Sequence, residues 1–216
     1  TYVLSAYPKG KHFEDWLKNM GRSADYIVKK AGEEGTATHE LIEDYLNGKE
    51  CSFLNQWGNP AHHPDVWQMF LRFVDFWETY KPKLIETEVH LFSDVYKIAG
   101  TCDIVCEIDG ELWVIDFKTS NNLQTTYDLQ TAAYATCYEE CYGKRVDRTA
   151  ILWLKSSKRG GKTGSMQGKG WEIYESKRTT EENMDIFKTV KKLFDLENPN
   201  HSPIFTEFQT VVKRNL

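Results

Sequence analysis

Gly100-Thr101-Cys102-Asp103-Ile104-Val105-Cys106-Glu107-Ile108-Asp109-Gly110-Glu111-Leu112-Trp113-Val114-Ile115-Asp116-Phe117-Lys118-Thr119-Ser120 reads as a β-hairpin. Two apolar runs rich in β-branched residues flank Asp109-Gly110, a dipeptide that tolerates the positive φ values of a tight turn. A turn centred there sets Ile104 opposite Ile115, Cys106 opposite Trp113 and Asp103 opposite Asp116. Side chains alternate between faces with period two, so Asp103, Asp116 and Lys118 are expected on one face. Cys102, Ile104, Cys106, Trp113, Ile115 and Phe117 are expected on the other, as core. Like charges opposed across two strands destabilise a sheet unless something positive lies between them. Two readings satisfy this hairpin: a divalent metal with Lys118 beside it, or a solvated Asp116–Lys118 ion pair at a strand end.

The rest of the chain is expected to build a sheet around this hairpin. Leu84 to Phe92 reads as a preceding strand, turning at Ser93-Asp94 into Tyr96 to Glu107. Glu111 to Lys118 follows. Glu88 lies on the first strand, either supporting a site or facing solvent on an edge, and the edge reading is the simpler. Leu123 to Tyr142 reads as a helix with Gln130 and Tyr134 four apart on one face. Arg148 to Leu154 is a buried strand and Trp171 to Glu175 its return. Strand, strand, strand, helix, strand predicts a mixed sheet with helices packed on it.

Helical periodicity covers the N-terminal part, Lys11 to about Asn47, in pieces broken near Gly21 and around Gly32 to Gly35. Phe13, Trp16 and Leu17 form one apolar stripe, and Ala24, Ile27 and Val28 another. His39 falls in the last piece, beside Leu41, Ile42, Tyr45 and Leu46, which face inward. Glu50 to Pro64 is a loop in which His62-His63 is solvated. Asp65 to Tyr80 is a helix ending before Pro82. Thr179 and Glu182 form a capping box that opens a helix to about Leu196, with Ile186, Val190, Leu193 and Phe194 as its core stripe. Ile204, Phe205 and Phe208 are expected to pack back onto the body. One domain over 1–216 is expected, with a helical part over 1–82, an α/β core over 83–175, and a helix and tail over 176–216.

Composition narrows the class. The chain has 216 residues, 40% hydrophobic and 27% charged, with a net charge of −5. No apolar run reaches membrane-spanning length. The net charge excludes a simple basic DNA coat but not a locally basic patch. Lys155, Lys158, Arg159, Lys162 and Lys169 form such a tract, among glycines and serines. It is expected either to track a phosphate backbone or to be a solvated hairpin tip. Gly161-Lys162-Thr163 lacks the earlier glycine of a phosphate-binding loop, since Ser156 stands there. Five cysteines with no paired framework fit a reducing compartment. The chain opens on Thr1 rather than Met, as a sequence beginning inside a longer protein would. No charged-then-apolar leader is evident, and a cytoplasmic location is expected, the host cytoplasm if phage-encoded.

Taken together, Gly35-Thr36-Ala37-Thr38-His39, Gly100-Thr101-Cys102-Asp103, Asp116-Phe117-Lys118 and Gln130-Thr131-Ala132-Ala133-Tyr134 resemble the PD-(D/E)XK nuclease superfamily. The resemblance is narrower to its RecB-like exonuclease branch, which includes phage exonucleases and the mitochondrial genome maintenance exonuclease. It implies a restriction-endonuclease-like α/β core: a central mixed sheet flanked by helices. Asp103, Asp116, the Phe117 carbonyl and His39 would ligate Mg²⁺ or Mn²⁺, imidazole favouring the softer ion. Lys118 would position or deprotonate the attacking water, with Gln130 and Tyr134 orienting it and the DNA. The family's proline is absent, Cys102 preceding Asp103. Some relatives carry an iron–sulfur cluster on four cysteines, three near the C-terminus. Nothing after Cys141 is cysteine here, so no cluster is expected. The implied function is a metal-dependent DNA exonuclease acting on single strands or ends in replication, recombination or repair. Rival readings are a structure-specific endonuclease on the same core and a non-catalytic DNA-binding adaptor that keeps the scaffold.

Overall fold

A computed structural model of the chain describes residues 2–157 and 170–201. After a short 3₁₀ turn at Val3–Ala6, the elements are α1 (Lys11–Met20), α2 (Ser23–Leu46), α3 (Pro64–Tyr80), β1 (Lys83–Ser93), β2 (Ile98–Ile108), β3 (Glu111–Lys118), α4 (Thr125–Tyr142), β4 (Arg148–Ser156), β5 (Gly170–Tyr174) and α5 (Thr180–Glu197). The five strands lie in sequence order in one sheet. β1, β2 and β3 pair antiparallel, β3 and β4 parallel, and β4 and β5 antiparallel. The parallel step requires a crossover, which α4 supplies. The β2–β3 register is the one the Asp109-Gly110 turn dictates: Ile104 pairs with Ile115 and Cys106 with Trp113. Both turn residues take positive φ.

Both faces of the hairpin are buried, which corrects the expectation of one core face and one polar face. Ile104, Cys106, Trp113, Ile115 and Phe117 pack with Leu41 and Ile42 of α2 and with Met69, Phe70, Phe73 and Phe76 of α3. Val105 and Val114 turn the other way, onto Ala135, Cys137 and Tyr138 of α4. A sheet covered by helices on both sides replaces clean alternation with near-continuous apolar runs. α5 forms an outer layer on α4, through Met184, Phe187 and Val190 against Leu129, Ala132 and Ala133. Leu193, expected in that stripe, is 40% exposed, because Met184 and Phe187 set the buried face one position away. The capping box holds: Thr179 Oγ1 accepts from Glu182 N–H, and Glu182 accepts from Thr179 N–H.

The N-terminal helices differ from expectation in one respect that matters for the site. Gly21 ends α1 with φ +52, but α2 runs unbroken through Gly32 and Gly35. A glycine inside a helix costs only about 1 kcal/mol, and the buried anchors Thr38, Leu41 and Ile42 outweigh it. Gly35 has a packing reason, since a Cβ there would lie 3.1 Å from Thr119 Oγ1, just beyond β3. Ile27 and Val28, expected inward, are exposed, leaving Ala24 as the buried member of that stripe. The loop before α3 ends in a cap rather than in solvated histidines alone. His63 Nδ1 accepts from Asp65 N–H at 3.3 Å, Pro64 takes the first helical position, and His62 stacks on Trp67.

An unbroken α2 has a measurable consequence. A Cβ at Gly32 would meet nothing within 4 Å. Gly32→Ala is therefore expected to stabilise the protein by roughly 0.5–1 kcal/mol, raising Tm by about 1–4 °C in thermal unfolding. Gly35→Ala, crowding Thr119, is expected to gain less or to lose stability. Equal gains at both positions would contradict the packing described.

Candidate active site

Alternation along β2 fails at one place, and the site is built there. Ile98 and Cys102 pack on the α4 side, and a Cβ on Gly100 would run into Tyr134 of α4. From Ile104 onward the even positions face α2 and α3 instead. Asp103 sits at the switch. Across the ladder the same break occurs in β1: Thr87 pairs with Ile104 and Val89 with Cys102, so Glu88 lies opposite Asp103, and Glu88 has φ +51. A non-glycine residue in that region costs of order 1–3 kcal/mol and is kept only where surrounding structure imposes it.

The pairing of β2 and β3 stops at Ile104 with Ile115, so Asp103 does not simply face Asp116 across a ladder. Instead its Oδ2 accepts from the Phe117 N–H at 2.5 Å. Its Oδ1 lies 3.3 Å from His39 Nδ1, which α2 delivers. The His39 ring meets Phe117 edge-on, and Phe117 packs in turn on Phe73, so the core fixes the imidazole. Asp103 thus addresses β3 with one oxygen and α2 with the other. Glu88 joins from β1: ligand atoms of His39, Glu88 and Asp103 all lie within 4.8 Å of one another. This position could not be read from the sequence, since a Thr-Glu-Val run carries no turn signal.

Asp116 and Lys118, two apart on β3, form the second half of the site. Asp116 is 2% exposed, and Lys118 Nζ lies against its Oδ2. Beyond that ammonium, Asp116 Oδ2 has no hydrogen-bond donor among the described residues. Lys118 also donates to Gln130 Oε1 at 3.1 Å, and Gln130 Nε2 donates to Tyr134 Oη at 2.7 Å. The ammonium stands 4.7 Å from the ring centroid of Tyr127. Tyr127 belongs to no motif that marks it in the sequence, although 127, 130 and 134 follow the helical spacing that places all three on one face. Lys155, at the end of β4, is half-buried, while Lys158, Arg159, Lys162 and Lys169 lie outside the described residues, as do Ile204, Phe205 and Phe208.

Electrostatics show what this arrangement lacks. Burial foremost, with Asp103 adding, pushes the Asp116 carboxyl up to about 6 even though Lys118 pulls the other way. Glu88 is raised by burial and by Asp103. Burial works against a charge on His39, but Asp103 and Asp116 outweigh it and raise its pKa. Lys118 is likewise raised, burial being overcome by Asp116 and Asp103, so it remains an ammonium at neutral pH. Among the described residues, three carboxylates and one imidazole face a single buried cation, Lys118. Oxygen donors with one nitrogen suit Mg²⁺ or Mn²⁺, and the donor set fits such an ion.

A cavity of about 310 Å³, lined by Gly35, Thr36, His39, Glu40, Glu43 and Glu88, opens on this site. Another, of about 410 Å³, lies at the far end of β4 beside Arg148 and Thr149 and contains none of the expected site residues. Gly100 is the small residue on which the site's geometry turns: a Cβ there would come within 2.7 Å of Tyr134 Cε1. Gly100→Ala is expected to cost about 1–3 kcal/mol and to displace the Tyr134 ring from Gln130. Chemical denaturation would check this. A Tyr134→Ala background should recover part of the loss, and an equal loss in both backgrounds would contradict the contact.

A family model for the PD-(D/E)XK nuclease superfamily matches residues 9–207. Among solved structures, a chain named "Putative exonuclease" from Eubacterium rectale aligns at 13% identity over 85% of this chain and 77% of its own, with a TM-score of 0.49. A chain named SSO0001 aligns at 16% identity over 65% of this chain and 61% of its own, with a TM-score of 0.33. A search of curated proteins finds no match. The five-stranded mixed sheet, its flanking helices and the helical N-terminal part form a restriction-endonuclease-like α/β fold, and the chain belongs to the PD-(D/E)XK nuclease superfamily.

Proposed function

We propose that the chain is a divalent-metal-dependent deoxyribonuclease that hydrolyses phosphodiester bonds from DNA ends, with single strands or ends as its substrate. The chain is read as one nuclease domain over 1–216. The observation that supports this most is the buried Asp103–Asp116–Lys118 group. A scaffold kept only for binding has no physical reason to hold two carboxylates in its core against a lone lysine, because unpaired buried charge is costly. Replication, recombination and repair are the processes in which such an activity would serve.

Asp103, Asp116 and His39, with the Phe117 carbonyl, would hold Mg²⁺ or Mn²⁺. The cation, when bound, acidifies water and neutralises charge on phosphoryl oxygens. Hydrolysis forms a bond from a water oxygen to phosphorus and breaks a bridging P–O bond. The water gives up a proton, and the departing alkoxide takes one up. Lys118 serves this step as a cation: held as an ammonium by Asp116 and Asp103, it has no lone pair to take a proton, and it stabilises negative charge developing on the phosphoryl group. Gln130, Tyr134 and Tyr127 hold that ammonium in place. Lys155, Lys158, Arg159, Lys162 and Lys169 would contact the DNA backbone, which makes binding steeply salt-dependent.

The test uses end-labelled single-stranded, double-stranded and covalently closed circular DNA with Mg²⁺ or Mn²⁺. Wild type is expected to degrade linear substrates and spare the circle. Asp116→Ala and Lys118→Ala are expected to lower the rate by at least about 10²–10³-fold, as loss of one transition-state contact does. Circular dichroism should show both variants folded. Undiminished metal-dependent cleavage in either variant would overturn the assignment of the site. Cleavage of the closed circle would overturn the preference for ends.

A further inference from the structure

Of the chain's seven tryptophans, Trp67, Trp77, Trp113 and Trp171 lie in or against the main core, Trp16 stacks with Phe13, and Trp57 is largely exposed. Trp153 on β4 is different. It is half-buried, yet among the described residues it belongs to no core cluster and makes no ring contact. Leu152 and Leu154 on either side of it turn into the core shared with α2 and α3, so alternation directs the indole to the opposite face of the sheet. That is the face of Lys118, since Phe117 packs in the same core as the two leucines. In the parallel ladder Trp153 is the direct neighbour of Lys118, one strand spacing of about 4.8 Å away. Its Nε1 donates to the Ser120 carbonyl at 2.7 Å, which ties the ring to the turn that follows β3.

An indole tethered by its N–H, with faces that serve no core cluster, is a platform oriented before anything lands on it. Proteins bind single-stranded nucleic acid by combining cations that follow the backbone with aromatic faces on which bases stack. Both parts meet at Trp153. Lys118 stands on one side of it, and Lys155, two residues further along β4, is half-buried with no ion pair among the described residues. On its other side Glu172 pairs with Trp153 across the β4–β5 ladder and accepts from Ser156 Oγ at 2.9 Å. A carboxylate there repels phosphate, which leaves the phosphate to the Lys118 side and the uncharged base to the indole. We propose that Trp153 is a base-stacking subsite for single-stranded DNA: with a phosphate at Lys118, the adjoining base lies on the indole face. This deepens the nuclease reading and rests on it for the phosphate at Lys118. A base inside a duplex must first be unstacked and unpaired, so the platform favours an unpaired strand.

The experiment is fluorescence anisotropy of the full chain with two end-labelled strands of about 12 nucleotides, oligothymidylate and an abasic strand with the same phosphates and no bases. Ca²⁺ replaces Mg²⁺, and a gel checks that the strands stay intact. Wild type is expected to bind oligothymidylate roughly 5–100-fold more tightly than the abasic strand, the range that stacking of one base gives. Trp153→Leu is expected to lose that preference and bind both strands with the abasic affinity. Trp153→Phe keeps an aromatic face but no N–H donor, and is expected to retain most of the preference. Lys155→Ala is expected to weaken both strands alike. Three results would overturn the proposal: a wild type indifferent to the bases, an undiminished preference in Trp153→Leu, or an equal loss for both strands in Trp153→Leu and Trp153→Phe, the mark of a tether to Ser120 and nothing more. Cleavage by the same preparations with Mg²⁺ or Mn²⁺ separates the two claims. Base-dependent binding without cleavage speaks against the nuclease reading and leaves the subsite standing, whereas cleavage with unaltered binding by Trp153→Leu does the reverse.

Discussion

The structure depends on the cost of burying the carboxyl groups of Asp103 and Asp116 side by side inside the protein. Asp103 is 7% exposed and Asp116 2%, in a setting where charge is poorly screened. Each neighbour can be read as a response to that cost. The Phe117 N–H solvates one Asp103 oxygen and His39 approaches the other. Lys118 lies against Asp116 and is itself steadied by Gln130 and by the ring of Tyr127. The compensation is incomplete, as the Asp116 carboxyl raised to about 6 shows. The deficit has the sign and the donor chemistry of a divalent cation.

The fold places that cost where two helical layers can share it. α2 anchors through Thr38, Leu41 and Ile42 on the face of the sheet that also holds Phe73 and Phe117, and this presents His39. α4 covers the opposite face through Ala135, Cys137 and Tyr138, and its polar Tyr127–Gln130–Tyr134 edge reaches Lys118. The site therefore sits where both layers meet the middle of β2 and the end of β3. Two glycines permit the close approach. Gly35 lets α2 lie against Thr119, and Gly100 makes room for the Tyr134 ring. Both belong to the motifs by which the sequence resembles its family, so part of that pattern is steric rather than chemical.

The elements were largely legible because their signals are local. β3 runs over Glu111–Lys118, as its apolar run and the Asp-Gly turn require, and Thr179 with Glu182 marks the start of α5. Asp116 and Lys118 could be paired in advance because two residues on one strand share a face. The bend at Asp103 could not, since it depends on a strand neighbour fifteen residues earlier and on helices covering both sides. Simple alternation placed Asp103 opposite Asp116, whereas it bridges β3 and α2. Glu88 was obscured for the same reason: its positive φ is imposed by the paired strand, not by its own sequence. Gly32 and Gly35 misled in the opposite direction, because helix-breaking propensity of about 1 kcal/mol yields to buried tertiary anchors.

The central claim is that the buried carboxylates exist to hold a divalent cation. Anomalous diffraction from crystals soaked in Mn²⁺ tests it most directly. The account predicts a manganese peak bonded to carboxylate oxygens of both Asp103 and Asp116, which disappears in Asp116→Ala. Manganese absent from that position in well-ordered crystals, with Lys118 still against Asp116, would contradict it.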